Sequence, residues 1–187
     1  MKKRMSLLAG SMVLVLLGAG CSGTTPETGS NVSTEEAAQD YSANFTFEQG
    51  NYSVYFPFPP SYTEDVMQLA DGSTIPTYLY QYTDESGSIW QSGFAEYPET
   101  SDLSDVEGSL ERSVEQIAGV FGGNIESLKH GTYQGYPSVD FTIYVPDGGY
   151  YIGRHVLNEH RFHNLGYVHD FGVEAPSEHF FNSLVIH

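Results

Sequence analysis

A single helical stripe set among strand-like runs limits this chain more than any other feature. Leu103, Val106, Leu110, Val114, Ile117 and Phe121 recur at helical spacing and form one buried stripe. Glu107, Glu111 and Glu115 fall on the opposite side, and Gly122-Gly123 ends the pattern. Ser104-Asp105-Val106-Glu107 reads as a capping box, with the Ser104 hydroxyl serving the Glu107 amide and the Glu107 side chain reaching back.

The flanking segments alternate and are cut by turn residues. Asn44 to Phe56 reads as a strand pair across Gln49-Gly50-Asn51, and the prolines of Phe56-Pro57-Phe58-Pro59-Pro60 end it. Thr74 to Thr83 and Ser88 to Tyr97 form a second pair across Asp84-Glu85-Ser86-Gly87. Four runs follow the helix: Ile125 to Tyr133, Ser138 to Val145, Tyr150 to Leu157, and Arg161 to Asp170. Their separators are Gly135-Tyr136-Pro137, Pro146-Asp147-Gly148-Gly149 and Asn158-Glu159-His160. Connections this short imply antiparallel neighbours. Pro176 opens a short helix whose apolar side is Phe180, Phe181, Leu184 and Ile186. The prediction is one α+β domain over residues 41–187, an antiparallel β-sheet flanked by a long mid-chain helix and a short C-terminal helix.

The N-terminus addresses location. Met1-Lys2-Lys3-Arg4 is positively charged, Leu7 to Leu17 is almost wholly apolar, and Gly18-Ala19-Gly20 precedes Cys21, the one cysteine. That is a secretory signal peptide over residues 1–20, too short for a comfortable membrane span of ~20 apolar residues. Cys21 stands where a bacterial lipoprotein is lipidated and becomes the new N-terminus, although Leu17 lies one place earlier than usual and Gly18 fills its position. The alternative is ordinary cleavage after Ala19 or Gly20, leaving a free thiol. Each buried methylene of an acyl chain contributes ~0.8 kcal/mol, so two or three chains hold a protein stably. In the Gram-negative lipoproteins this N-terminus resembles, a Ser at the position of Ser22 goes with the outer membrane, which implies its periplasmic face here. Residues 22–40 are Ser, Thr, Gly and Glu with little to bury, a flexible acidic tether reaching roughly 60 Å when extended.

Charge excludes one class of partner. Loss of Lys2, Lys3 and Arg4 takes the seven basic residues to four, and four against 24 acidic residues gives −20. Nucleic-acid binding draws on clustered Lys and Arg, so nucleic acid is excluded as a partner. The acids are spread along the chain as a solvated surface, with a cationic partner or divalent cations as the sharper alternative.

Taken in order, several pieces resemble a known family. Phe56-Pro57 after an N-terminal strand pair, the mid-chain helix, Gly135-Tyr136-Pro137, a hairpin carrying Arg154, and a closing Phe180-Phe181-Asn182-Ser183 helix look like bacterial PsbP-like lipoproteins. The resemblance implies an antiparallel sheet flanked by helices. It also implies a binding or assembly accessory without shared catalytic residues, so it carries over a fold and no site.

Three constellations are candidates for chemistry. Six of the seven histidines lie in the last 33 residues, enough imidazole to consider zinc or another divalent metal. If Asn158-Glu159-His160 is a three-residue loop, His155 faces His163 on one side of a hairpin, with His160 nearby. A two- or four-residue turn would put His155 and His163 on opposite faces. The plainer reading is polar strand and loop histidines. Catalysis has less support: no Ser occupies a Gly-x-Ser-x-Gly elbow, and the paired acids Glu64-Asp65 and Asp84-Glu85 fall in expected turns. Tyr78, Tyr80 and Tyr82 share one strand face, an aromatic platform for a protein or glycan if uncovered and core if covered.

The chain therefore reads as a non-catalytic, lipid-anchored extracytoplasmic binding or assembly accessory without a cofactor. It meets the membrane through its N-terminal lipid and a protein or glycan partner in the envelope. The alternatives are a divalent-metal-binding lipoprotein using His155, His160 and His163, and an envelope hydrolase.

Overall fold

The computed structural model describes residues 43–69, 72–146, 148–172 and 178–187. The signal peptide, Cys21, the tether and Pro176 lie outside these residues. Strands β1 (Ala43–Phe47) and β2 (Tyr52–Phe56) are joined by a 3₁₀ turn, Glu48–Gly50. β3 (Ser61–Gln68), β4 (Thr74–Thr83) and β5 (Ile89–Glu96) precede helix α1 (Val106–Phe121). β6 (Asn124–Tyr133), β7 (Tyr136–Val145), β8 (Gly149–Asn158) and β9 (Arg161–His169) follow it, and α2 (Glu178–Asn182) and β10 (Val185–Ile186) close the chain.

Two antiparallel sheets result: a large one in the order β3-β4-β5-β9-β8-β7-β6 and a small one in the order β1-β2-β10. The architecture is α+β, with α1 packed on one face of the large sheet and the small sheet with α2 on the other. Alternation in the central strands dictates this arrangement, because each sends apolar side chains to both faces. Val139, Phe141, Ile143 and Tyr151 meet Leu110, Val114, Ile117 and Ala118 of α1 on one side. Val156, Leu165, Phe94 and Tyr80 meet Tyr52, Val54, Phe56 and Phe180 on the other.

Close packing on the helix side depends on two glycines. Gly153 and Gly166 are cross-strand partners, and a Cβ on either would strike the Phe141 ring or the Tyr151 hydroxyl. The missing side chains let the Phe141 and Tyr151 rings lie stacked across the sheet, 5.7 Å apart. The helix begins one residue later than the capping box predicts. Asp105 is the cap, its Oδ1 accepting from the Gly108 N–H at 3.1 Å, while Ser104 stands outside the helix. Gly122 ends it in the left-handed conformation (φ 59°).

The two ends of the described residues build the small sheet together. Val185 and Ile186 pair with Ser53 and Tyr52 of β2. The Tyr133 hydroxyl donates to the Leu184 carbonyl (2.8 Å), and the Tyr55 N–H donates to Ser183 Oγ (2.9 Å). Arg154 clasps α2 to the large sheet: Nε and Nη2 bond Asp140, Nη1 donates to the Phe181 carbonyl (2.8 Å), and the guanidinium lies 4.6 Å over the Tyr133 ring. Two strands, β3 and β10, carry no sequence signature, since the first is exposed nearly throughout and the second is two residues long.

Candidate binding surface

The C-terminal histidines are separated by the register of the hairpin that carries them. Asn158 pairs with Arg161, leaving Glu159-His160 as a two-residue turn with Glu159 at φ 52°. Val156 then faces His163, and His155 faces Asn164. Opposed residues share a face, so His155 points toward α1 and His163 toward the small sheet. This corrects the three-residue loop: the hairpin does not bring His155 and His163 together. His160 sits in the turn, half-buried, with its carbonyl accepting from the Tyr97 N–H at 2.8 Å. Among the described residues no group of three or more His, Cys, Asp or Glu is placed to share a metal ion.

His155 and His163 are held neutral by their surroundings. His155, 1% exposed, packs edge-on to Phe141 and Phe162, and burial pushes its pKa down to about 3. His163, also 1% exposed, lies between Tyr52 and Phe94. Burial, with Arg161's charge second, pushes it down to about 4. Neither ring nitrogen of His163 has a hydrogen-bond partner among the described residues.

Ser113 and His155 form a contact that resembles a nucleophile and its base, with Oγ 2.6 Å from Nδ1. The proton count removes that role. The Ser113 hydroxyl donates to the Leu110 carbonyl (2.6 Å), so His155 Nδ1 must be the donor toward Oγ. A serine whose proton bonds its own helix, beside an imidazole that protonates only near pH 3, has no general base. The pair ties α1 to β8.

Tyr78, Tyr80 and Tyr82 do share a face, and the small sheet covers part of it. Phe47 stacks on Tyr80 at 3.7 Å, and the Tyr80 hydroxyl donates to Gln49 Oε1 at 3.1 Å. Tyr80 is core, whereas Tyr78 and Tyr82 are half-buried at the margin. There, two further rings continue the stack into solvent. Tyr62, 46% exposed, faces Tyr80 across β3–β4 and lies 5.1 Å from it and 6.4 Å from Tyr78. Phe58, 43% exposed, stacks on Tyr82 at 5.4 Å. The sequence names Tyr78, Tyr80 and Tyr82 but not Phe58 and Tyr62; the place of Tyr62 follows only once Ser61–Gln68 is a strand.

Acids rim this strip. The Tyr62 hydroxyl donates to Glu64 at 3.1 Å and is raised to about 12, first by desolvation, then by that hydrogen bond and Glu64's charge. Tyr82 is raised by desolvation, then by the charges of Asp84 and Glu85. β3 is an edge strand of the large sheet, with no strand on its outer side among the described residues. Stacked rings at an open edge can pack against an apolar partner surface, and an acidic rim favours a partner bearing cations.

No family model matches the chain, and no curated protein matches it. One solved structure does. The solution structure of cyanobacterial PsbP (CyanoP) from Synechocystis sp. PCC 6803 is similar at a TM-score of 0.56 and 10% identity, covering 83% of this chain and 98% of that one. The domain described here has a PsbP-like fold.

Proposed function

We propose that this chain is a non-catalytic, lipid-anchored extracytoplasmic binding or assembly accessory protein of the bacterial envelope. On this reading residues 1–20 direct export, Cys21 carries the lipid at the periplasmic face of the outer membrane, and residues 21–40 tether the domain. The observation that carries the reading is the exposed stack of Phe58 and Tyr62 on Tyr82, Tyr78 and Tyr80 beside an open sheet edge. Large rings left in solvent next to a paired strand are costly to keep unless a surface is to be met. The partner is a protein or a glycan. The two-residue turn argues against the metal reading, and the Ser113 proton count argues against Ser113 as a hydrolytic nucleophile.

The test has two arms. A clickable palmitate analogue should label the wild-type protein and leave Cys21→Ala unlabelled; equal labelling of both would remove the anchor. A photo-crosslinking residue placed at Phe58 or Tyr62 should give discrete adducts in intact envelopes. The same residue at Val120, equally exposed on α1, should give none. Matching adduct patterns from both faces would remove the aromatic strip as the binding surface.

A further inference from the structure

At the opposite end of the large sheet from the aromatic strip, α2 and strands β6–β8 enclose an open groove of about 440 Å³. That volume lies in the range of small-molecule sites, roughly 300–1,000 Å³. Its floor follows from register: Ser127, Thr142 and Ile152 form one cross-strand row, and Lys129, Asp140 and Arg154 the next. All six fall on one face.

Two charges in this groove are already spent. Arg154 and Asp140 neutralise each other through a bidentate pair at 2.6 and 3.1 Å. Two are not. The side chain of Lys129, the sole lysine after residue 3, makes no ion pair or hydrogen bond among the described residues. Glu178, on the groove's α2 wall, makes none either. Arg112, Arg154 and Arg161 each hold a carboxylate, from Asp105, Asp140 and Glu96. In a chain with 24 acidic residues, the one Lys or Arg among the described residues that holds no carboxylate lines a groove. The Ser127 and Thr142 hydroxyls beside it are also unpaired among the described residues, and Ile152 and Phe181 supply an apolar wall.

We propose that this groove binds a small zwitterion with an apolar side chain, a free amino acid or short peptide. Lys129 takes the carboxylate, with Ser127 and Thr142 donating to its remaining lone pairs. Glu178 takes the ammonium group, and the side chain lies along Ile152 and Phe181. A simple anion would meet Glu178 uncompensated, and a simple cation would meet Lys129. A phosphate dianion would face two carboxylates, Asp140 and Glu178, with one uncommitted cation, Lys129. The inference is independent of the aromatic strip, which uses other strands.

The experiment is a titration by calorimetry and melting temperature on the detergent-purified, membrane-extracted protein. Its probes are L-leucine, L-leucyl-L-leucine, N-acetyl-L-leucine and L-leucinamide. One or both zwitterions should bind and raise the melting temperature, and each capped analogue should bind at least roughly tenfold more weakly. Lys129→Gln and Glu178→Gln, both at exposed positions, should each weaken zwitterion binding by roughly tenfold while the ligand-free melting temperature stays unchanged. N-acetyl-leucine binding as tightly as leucine would overturn the zwitterion in favour of an anion. Binding by none of the probes, or undiminished binding by both variants, would overturn the site.

Discussion

The two faces of the large sheet are covered in different ways. On one, a single sequence-local element, α1, lays Leu110, Val114, Ile117 and Ala118 over the strands. On the other, the cover is assembled from both ends of the described chain, β1 and β2 with α2 and β10, and its packing is aromatic: Phe47, Tyr52, Phe56, Phe94 and Phe180. A helical stripe declares itself within one window of sequence. A cover made of distant pieces declares only that each piece is apolar.

The largest test of this contrast removes one central side chain from each face. Phe180 is fully buried and meets Phe56, Trp90 and Phe181 edge-on at 6.0, 5.1 and 5.2 Å. Phe180→Ala should lower the unfolding free energy by about 3–5 kcal/mol, and Leu110→Ala by about 2–5 kcal/mol, both read from urea denaturation. Phe180→Ala should also release the Arg154 clasp, so exchange protection in β10 and α2 should fall well before that of β7 and β8. Uniform loss of protection would mean that the aromatic cover and the sheet unfold as one unit.

His155 and His163, one on each face, give the next test. Unfolded imidazoles titrate near 6.5, whereas His163 and His155 are depressed to about 4 and about 3 in the folded protein. Between those values the unfolded chain binds more protons, so stability rises with pH across that window and is lost as pH falls below 6.5. For His163 the loss amounts to about 3 kcal/mol by pH 4. His163→Leu should therefore flatten the decline between pH 6.5 and 4 and also stabilise the protein at pH 7, because both ring nitrogens are buried without a partner. His155→Leu should gain less at pH 7, since Nδ1 already bonds Ser113. Unchanged acid curves in both variants would show that carboxylates, not these imidazoles, set acid sensitivity.

The same contrast explains which parts of the fold are legible in sequence. The stripe from Leu103 to Phe121 and the alternation in β4–β9 yield the α+β class, the antiparallel pairing and most strand limits directly. The pairing of Ser61–Gln68 is not legible, because both faces of that strand are largely solvated and leave no period-two signal. The two-residue turn is not legible either, because Glu159 takes the left-handed conformation usually left to Gly or Asn, with Asn158 beside it as the more natural turn residue. That one-residue difference separates His155 from His163. Tyr78, Tyr80 and Tyr82 are placed on one face by spacing alone, yet whether the face is covered depends on β1 and β2, some thirty residues upstream. The groove at Lys129 needs α2 in place before it exists.

The helix cap offers a smaller test on the α1 side. Asp105→Ala should cost about 1 kcal/mol by removing the acceptor of the Gly108 N–H. Ser104→Ala should cost nearly nothing, because its hydroxyl caps no amide. The reverse order, by thermal denaturation, would restore the capping box centred on Ser104.

The smallest expected effect is the most informative about function. Phe58 and Tyr62 are both about half exposed, Phe58 stacking on Tyr82 and Tyr62 lying against Tyr78 and Tyr80. Tyr62→Ser should change stability by no more than about 0.5 kcal/mol, as for surface positions away from caps and cores. Tyr80→Ala, one ring deeper, should cost several times more, since it also loses Phe47 and the hydrogen bond to Gln49. A steep fall from Tyr80 to Tyr62 marks where the core ends and a contact surface begins. Should Tyr62→Ser instead destabilise as strongly as Tyr80→Ala, the outer rings are part of the aromatic core, and the edge of β3 has no side chains to spare for a partner.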